Sequence, residues 1–94
     1  MAEVKAQVVV KNRLGLHARP AMAFVDLAMK YDATITVARL GEESPEEVDG
    51  KSIMQMMMLA ATQGTELEIR ADGADAADAI ETLKALVDAG FDED

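Results

Sequence analysis

Segments of two different apolar periods alternate along this chain, and that alternation limits its fold more than any other feature. Residues 4–11, VKAQVVVK, are valine-rich and partly alternate, which predicts a strand. Residues 12–16 form a short connection that contains Gly15, and residues 18–30 then carry Ala21, Phe24, Val25 and Ala28 at helical spacing. Pro20 falls in the first turn of that helix, where its missing N–H costs nothing. Residues 33–39, ATITVAR, alternate Ile35 and Val37 against Thr34 and Thr36, the pattern of a half-buried strand. Residues 41–49 read as an acidic loop with at most a short strand near Val48, because Pro45 argues against a central strand. Ser52 is a good N-cap for a short helix over 53–60, with Gly64 as the turn that follows. Residues 65–71 alternate again, Leu67 and Ile69 inward, before an Asp72-Gly73 turn. Residues 75–89 place Ala76, Ala79, Ile80, Leu83 and Val87 on one helical face, with Asp75 and Asp78 at its positive N-terminal end, and the tail 91–94 is expected to fray. The order β-α-β-(β)-α-β-α predicts an α+β domain of two layers, a sheet with helices on one face. Periodicity does not set the strand order.

With 94 residues the chain is one small domain, 1–94, with no internal repeat or linker. It has no cysteine, which excludes disulfides and thiolate–metal staples and suits a reducing compartment; a cytoplasmic location is expected. One histidine excludes a multi-histidine metal site, and no metal is expected. No apolar run approaches the ~18–20 residues of a membrane span, and residues 1–12 lack the apolar core of a signal peptide. The formal net charge is -9, and a single Tyr and two Phe leave little to stack on bases, so nucleic acid is a poor partner. The charge is uneven. Residues 1–40 carry six bases against three acids, and residues 41–94 carry three bases against fifteen acids. The only histidine lies in the basic part, and the acids are expected to lie off its working face.

That histidine, His17, stands where a glycine-containing loop meets the start of a helix. A helix N-terminus offers unpaired N–H groups and a positive dipole end. A neutral imidazole there is a nucleophile, and a phosphoryl group placed on it would lie among anion-stabilising groups, including Arg19 two residues on. The plain alternative is that His17 only caps the helix and that Arg19 is an ordinary surface arginine. Asp49-Gly50-Lys51-Ser52 resembles the end of a phosphate loop, but that pattern needs glycine five residues before Gly50 and Pro45 stands there. Ser52 is then a plain N-cap or a site of regulatory phosphorylation. Met54, Met56, Met57 and Met58 cannot all be buried by one short helix; the expectation is two in the core and the rest in an adaptable docking surface. Glu42, Glu43, Glu46, Glu47 and Asp49 lack the order of a calcium loop and read as a solvated charge run.

The run Gly15-Leu16-His17-Ala18-Arg19-Pro20-Ala21, with Asp49-Gly50-Lys51-Ser52-Ile53-Met54 downstream, resembles the HPr family, the histidine-containing phosphocarriers of the bacterial phosphotransferase system. The resemblance covers residues 3–89. It implies an open-faced sandwich, a four-stranded antiparallel sheet covered on one face by three helices. It implies a carrier rather than a free-standing enzyme, with no cofactor. His17 would accept a phosphoryl group on Nδ1 from enzyme I, charged by phosphoenolpyruvate, and pass it to an enzyme IIA. Arg19 and the N–H groups of Ala18 and Arg19 would stabilise it. Ser52 matches a position that an ATP-dependent kinase, and a matching phosphorylase, would act on. Ala18, Arg19, Met22, Ala23, Ile53, Met54, Met57 and Met58 would form the docking face of a monomer. Three departures bear on the partner: Leu14 stands where many members carry Ser or Thr, Asp26 and Gln55 stand where some carry Lys, and the 41–48 loop is longer than usual.

Two other readings are open. One is a regulatory homologue that moves no phosphate and binds a transcription factor or enzyme under control of Ser52. The other is an RNA-binding sheet with the same element order, which would need the aromatics and basic surface this chain lacks.

Overall fold

The inward residues of four strands meet on one face of a single sheet. The computed structural model describes residues 3–41, 43 and 46–92. Its elements are β1 (Glu3–Val9), α1 (Ala18–Ala28), β2 (Thr34–Arg39), β3 (Glu47–Asp49), α2 (Ile53–Met58), β4 (Glu66–Asp72) and α3 (Ala76–Asp88), followed by a 3-10 turn at Gly90–Asp92. The strands lie in the order β1-β4-β2-β3 and every pair is antiparallel. The register sets Val8 opposite Leu67, Val37 opposite both Ile69 and Val48, and Ile35 opposite Ala71. These seven residues are buried, and the helices cover them. β3 is a three-residue edge strand, as the acidic loop allowed; Pro45 lies outside the described residues.

The other sheet face is open, and its charged residues are mostly acidic. Arg70, on β4, is its hub: Nη1 lies 2.9 Å from Glu47 Oε2 on β3, Nη2 3.2 Å from Glu68 Oε1, and Nε 3.7 Å from Glu3 Oε2 on β1. One guanidinium therefore links three strands across the sheet. These groups remain partly exposed, so the network is worth little more than a few surface pairs.

Both long helices bury the stripe their spacing predicts. On α3 all five expected residues are buried. On α1, Ala21, Phe24 and Ala28 are buried together with Pro20, while Val25 is half-buried at the edge of the core. Two expectations are corrected. Only Met56 of the four α2 methionines enters the core, because a six-residue helix turns one side inward and Met54, Met57 and Met58 share the other. The tail does not fray from residue 91: Phe91 is 8% exposed, turned back onto the core by left-handed φ values of 67° at Gly90 and 58° at Phe91 itself. Residues 93–94 lie outside the described residues.

Asp75 is the N-cap residue of α3, yet its carboxylate serves another element. Oδ2 accepts the N–H of Asp32 at 2.8 Å and Oδ1 that of Ala33 at 2.9 Å, which ties the α1–β2 turn to the start of α3. The Asp32 amide holds the carboxyl below the usual aspartate range; partial desolvation opposes this, and the Ala33 amide, its own amide and the Lys51 ammonium add to it. A lowered folded-state pKa gives stability that is whole above the unfolded value, near pH 4, and is lost as pH falls through the folded value. Asp75→Asn should therefore lower the melting temperature at pH 7, with the gap from the parent closing below about pH 4. Melting curves between about pH 2 and 7 check this; a gap independent of pH would contradict it.

Ala60, just past α2, adopts φ 50°, a left-handed conformation that costs an L-residue strain. Ala60→Gly relieves that strain but adds chain entropy to the unfolded state. The net gain should be about 0.5–1 kcal/mol, read as a higher urea midpoint with an unchanged slope.

Candidate phosphoryl-acceptor site

The loop before α1 is held from two sides. Asn12 is 1% exposed, and its Nδ2 donates to Gly15 O at 2.6 Å while Gly15 N–H returns a bond to Asn12 O at 3.1 Å. Leu16 N–H donates to Ala61 O at 2.8 Å, and Gln63 Nε2 donates to Lys11 O at 3.1 Å, so the connection after α2 clamps the loop. Gly15 must be glycine here. Its φ is +72°, and a Cβ would lie 2.5 Å from Ala61 O. Asn12 is the positioning residue that sequence reading passed over. Its only signal was an asparagine between a strand and a glycine loop, the usual chemistry of a turn.

His17 is the N-cap residue of α1, with extended backbone at φ -85°, ψ -170°. Its carbonyl accepts Ala21 N–H at 3.0 Å, so its backbone starts the helix, while its ring makes no cap hydrogen bond. The ring is half-buried, and the next two residues, Ala18 and Arg19, are exposed. The N–H groups of Ala18 and Arg19 lie in the first turn, where helix geometry supplies no acceptor, and Pro20 has no N–H. The start of α1 thus carries, within three residues, an imidazole, two backbone donors of the first turn and a guanidinium.

Ser52 begins the neighbouring helix. Its Oγ accepts Gln55 N–H at 3.3 Å, while Gln55 Oε1 accepts Asp49 N–H at 2.9 Å. Lys51 Nζ donates to Tyr31 O at 2.6 Å, which fixes the Ser52 turn to the end of α1. Gly50 is buried beneath this turn, where a Cβ would lie 2.7 Å from Ile35 Cγ2 and 3.2 Å from Phe24 Cε1. Helices α1 and α2 pack against each other. Together they expose Met22, Met54, Met57 and Met58, with Ala23 and Ile53 half-buried and Leu14 exposed on the loop. Single exposed apolar residues are ordinary; a methionine set on one short helix is the composition of a docking surface.

The expectation that the acids lie off this surface needs amendment. Glu47 reaches Arg70 on the open sheet face, but Glu46 lines a shallow groove with Arg39, Val48, Met58, Leu59 and Ala60. One acid of the long loop therefore borders the methionines; Glu42 lies outside the described residues. Much of the excess acid sits on the open face, at Glu3, Glu47, Glu66, Glu68 and Asp72, rather than only in the loop and α3. Among the described residues no three His, Cys, Asp or Glu gather as a metal-ligand set, and no helix is long and apolar enough to cross a membrane.

Comparison with known proteins matches this geometry. Residues 4–89 fit the PTS-HPr family model, described as the PTS HPr component phosphorylation site. The phosphocarrier protein NPr of Proteus mirabilis is 42% identical over 88 residues, covering 94% of each chain. The phosphocarrier protein HPr of Pseudomonas aeruginosa is 43% identical over 88 residues, covering 93% of each. Among solved structures, HPr-C-His from Thermoanaerobacter tengcongensis superposes with a TM-score of 0.85 at 39% identity, over 100% of this chain and 99% of that one. With the open-faced sandwich and the GLHARPA run in place, the chain belongs to the HPr family, whose members are phosphocarriers of the phosphotransferase system and not enzymes.

Proposed function

We propose that His17 is the phosphoryl acceptor, taking the group from phospho-enzyme I and passing it to an enzyme IIA. The observation that carries this reading is the histidine at the N-cap of α1, with the Ala18 and Arg19 N–H groups in the first turn that follows it. In the transfer, a neutral ring nitrogen attacks phosphorus as the bond to the donor breaks. The nitrogen is Nδ1 by the family resemblance. The charge then left on the phosphoryl oxygens is met by the two N–H groups and the helix dipole, which are set before the reaction, and by the mobile Arg19. Reversal toward an enzyme IIA uses the same contacts, so the carrier needs no group beyond them. Arg19→Ala removes the one mobile charge and should slow transfer about 100-fold without preventing it; initial rates of labelling measure this.

Docking is assigned to Ala18, Arg19, Met22, Ala23, Ile53, Met54, Met57 and Met58. A surface of this kind is small and apolar at its centre, as suits a carrier that must release each partner. The test is incubation with phosphoenolpyruvate and catalytic enzyme I, followed by addition of an enzyme IIA. The expected product is an acid-labile, base-stable phosphoprotein whose label chases onto the acceptor. Absence of label, or an acid-stable label, would overturn the reading.

A second reading concerns Ser52. Its position as N-cap of α2, beside the methionines, supports regulation by a serine kinase and phosphorylase that changes docking. If the chain were regulatory alone, Ser52→Asp would alter partner binding while His17→Ala would change nothing.

A further inference from the structure

The methionines of this chain are divided by burial in a way that the carrier chemistry does not use. Of the six described, Met56 is 0% exposed, while Met54 is 75%, Met58 72%, Met29 62%, Met22 53% and Met57 44% exposed. Met54, Met57 and Met58 are spaced i, i+3, i+4 and so share one side of α2, opposite Met56. Met22 lies on α1, the helix that α2 packs against. There is no cysteine anywhere in the chain, so no thiol competes for an oxidant and the thioethers are its softest nucleophiles.

We propose that Met22, Met54, Met57 and Met58 form a reversible oxidation site through which hydroperoxides weaken docking of the phosphoryl donor without unfolding the domain. The inference rests on the docking face assigned above. The chemistry is a two-electron transfer. A thioether sulfur lone pair attacks one peroxide oxygen, the O–O bond breaks, an S–O bond forms, and hydrogen peroxide is reduced to water while the sulfur becomes a sulfoxide. A dithiol-driven methionine sulfoxide reductase returns the sulfur to the thioether and releases the oxygen as water, one enzyme type for each sulfoxide epimer. The effect on docking follows from polarity. A sulfoxide oxygen is a strong acceptor, and pressing it against an apolar partner without a donor is unfavourable. The fold is spared because Met56 is enclosed by the core and the four methionines of the site are exposed.

The test treats the full chain with hydrogen peroxide, maps the sulfoxides by peptide mass, and measures the initial rate of phosphorylation by enzyme I with phosphoenolpyruvate. The expected map shows oxygen on Met22, Met29, Met54, Met57 and Met58 and none on Met56, with an unchanged circular dichroism spectrum. The KM for the carrier should rise at least about tenfold with kcat nearly constant, and the two reductase types together should restore it. In a variant carrying Met22→Leu, Met54→Leu, Met57→Leu and Met58→Leu, the ratio of treated to untreated rate should stay near one, although Met29 is still oxidised. That ratio is read within each protein, so any change in the variant's own rate does not enter it. Four results would overturn the inference: an unchanged KM in the oxidised parent, an equal loss in the variant, oxygen on Met56 with loss of structure, or a loss in kcat alone. An untreated protein that enzyme I cannot phosphorylate overturns the carrier reading and this inference with it. One that is phosphorylated, with a KM that oxidation leaves unchanged, overturns this inference alone.

Discussion

Replacing His17 with alanine should abolish phosphoryl acceptance and leave the fold nearly as stable as before. The two halves of that expectation have separate causes. His17 starts α1 through its backbone carbonyl, which accepts Ala21 N–H, and alanine keeps that carbonyl. The side chain makes no cap bond and is only half-buried, and substitutions at such a helix end cost about 0.5–1 kcal/mol. Activity has no such reserve. The chain has one histidine and no cysteine, so no second imidazole or thiol can take the group. Labelling with phosphoenolpyruvate and enzyme I should fall to background while the thermal midpoint moves by only a few degrees. Residual acid-labile label in the variant would refute the assignment.

Phe24→Ala should do the reverse, destabilising the fold and affecting transfer only through the fraction unfolded. Phe24 is 1% exposed and heads the largest side chains that are fully buried. Its ring lies under α1 and beneath the buried Gly50, where the chain turns toward Ser52. Truncation removes the ring's transfer free energy and leaves a cavity that the sheet cannot close, because Ile35 and the Gly50 backbone are held by strand pairing. Such changes cost about 3–5 kcal/mol, a large share of the ~5–15 kcal/mol that holds a domain of this size together. Urea denaturation should show a midpoint lowered by that loss divided by the slope, with the slope itself similar; a loss under about 1 kcal/mol would mean the site collapses around the gap.

Much of this architecture is legible in the sequence, for reasons that differ by element. The α3 stripe from Ala76 to Val87 and the alternation of Leu67 with Ile69 carry their own period, so local residues suffice. The strand order β1-β4-β2-β3 carries no local signal, since it depends on which strands pair at long range. The same limit hid Phe91: a hydrophobe beside a glycine in an acidic tail looks solvated until Gly90 turns it back onto the core. The methionine run showed that a surface exists but not that Met56 alone leaves it, because a six-residue helix gives too few turns to read a face. Asn12 was missed because its partner, Gly15 O, lies three residues away in a loop without periodicity. His17 and Arg19 stood out through their place at a helix start, and the structure puts them there. The open-face acids around Arg70 show that net charge, even split by halves of the chain, does not say which face bears it.

The central claim is that a phosphoryl group travels on His17, and the lone histidine makes it directly measurable. Imidazole nitrogen NMR spectra of the full chain report that one ring with no assignment needed. Recorded before and after addition of phosphoenolpyruvate with catalytic enzyme I, they should show Nδ1 converted to a phosphorylated nitrogen, Nε2 left unphosphorylated, and recovery of the starting spectrum when an enzyme IIA is added. An imidazole spectrum that does not change while the protein gains phosphate would place the group elsewhere and contradict the account.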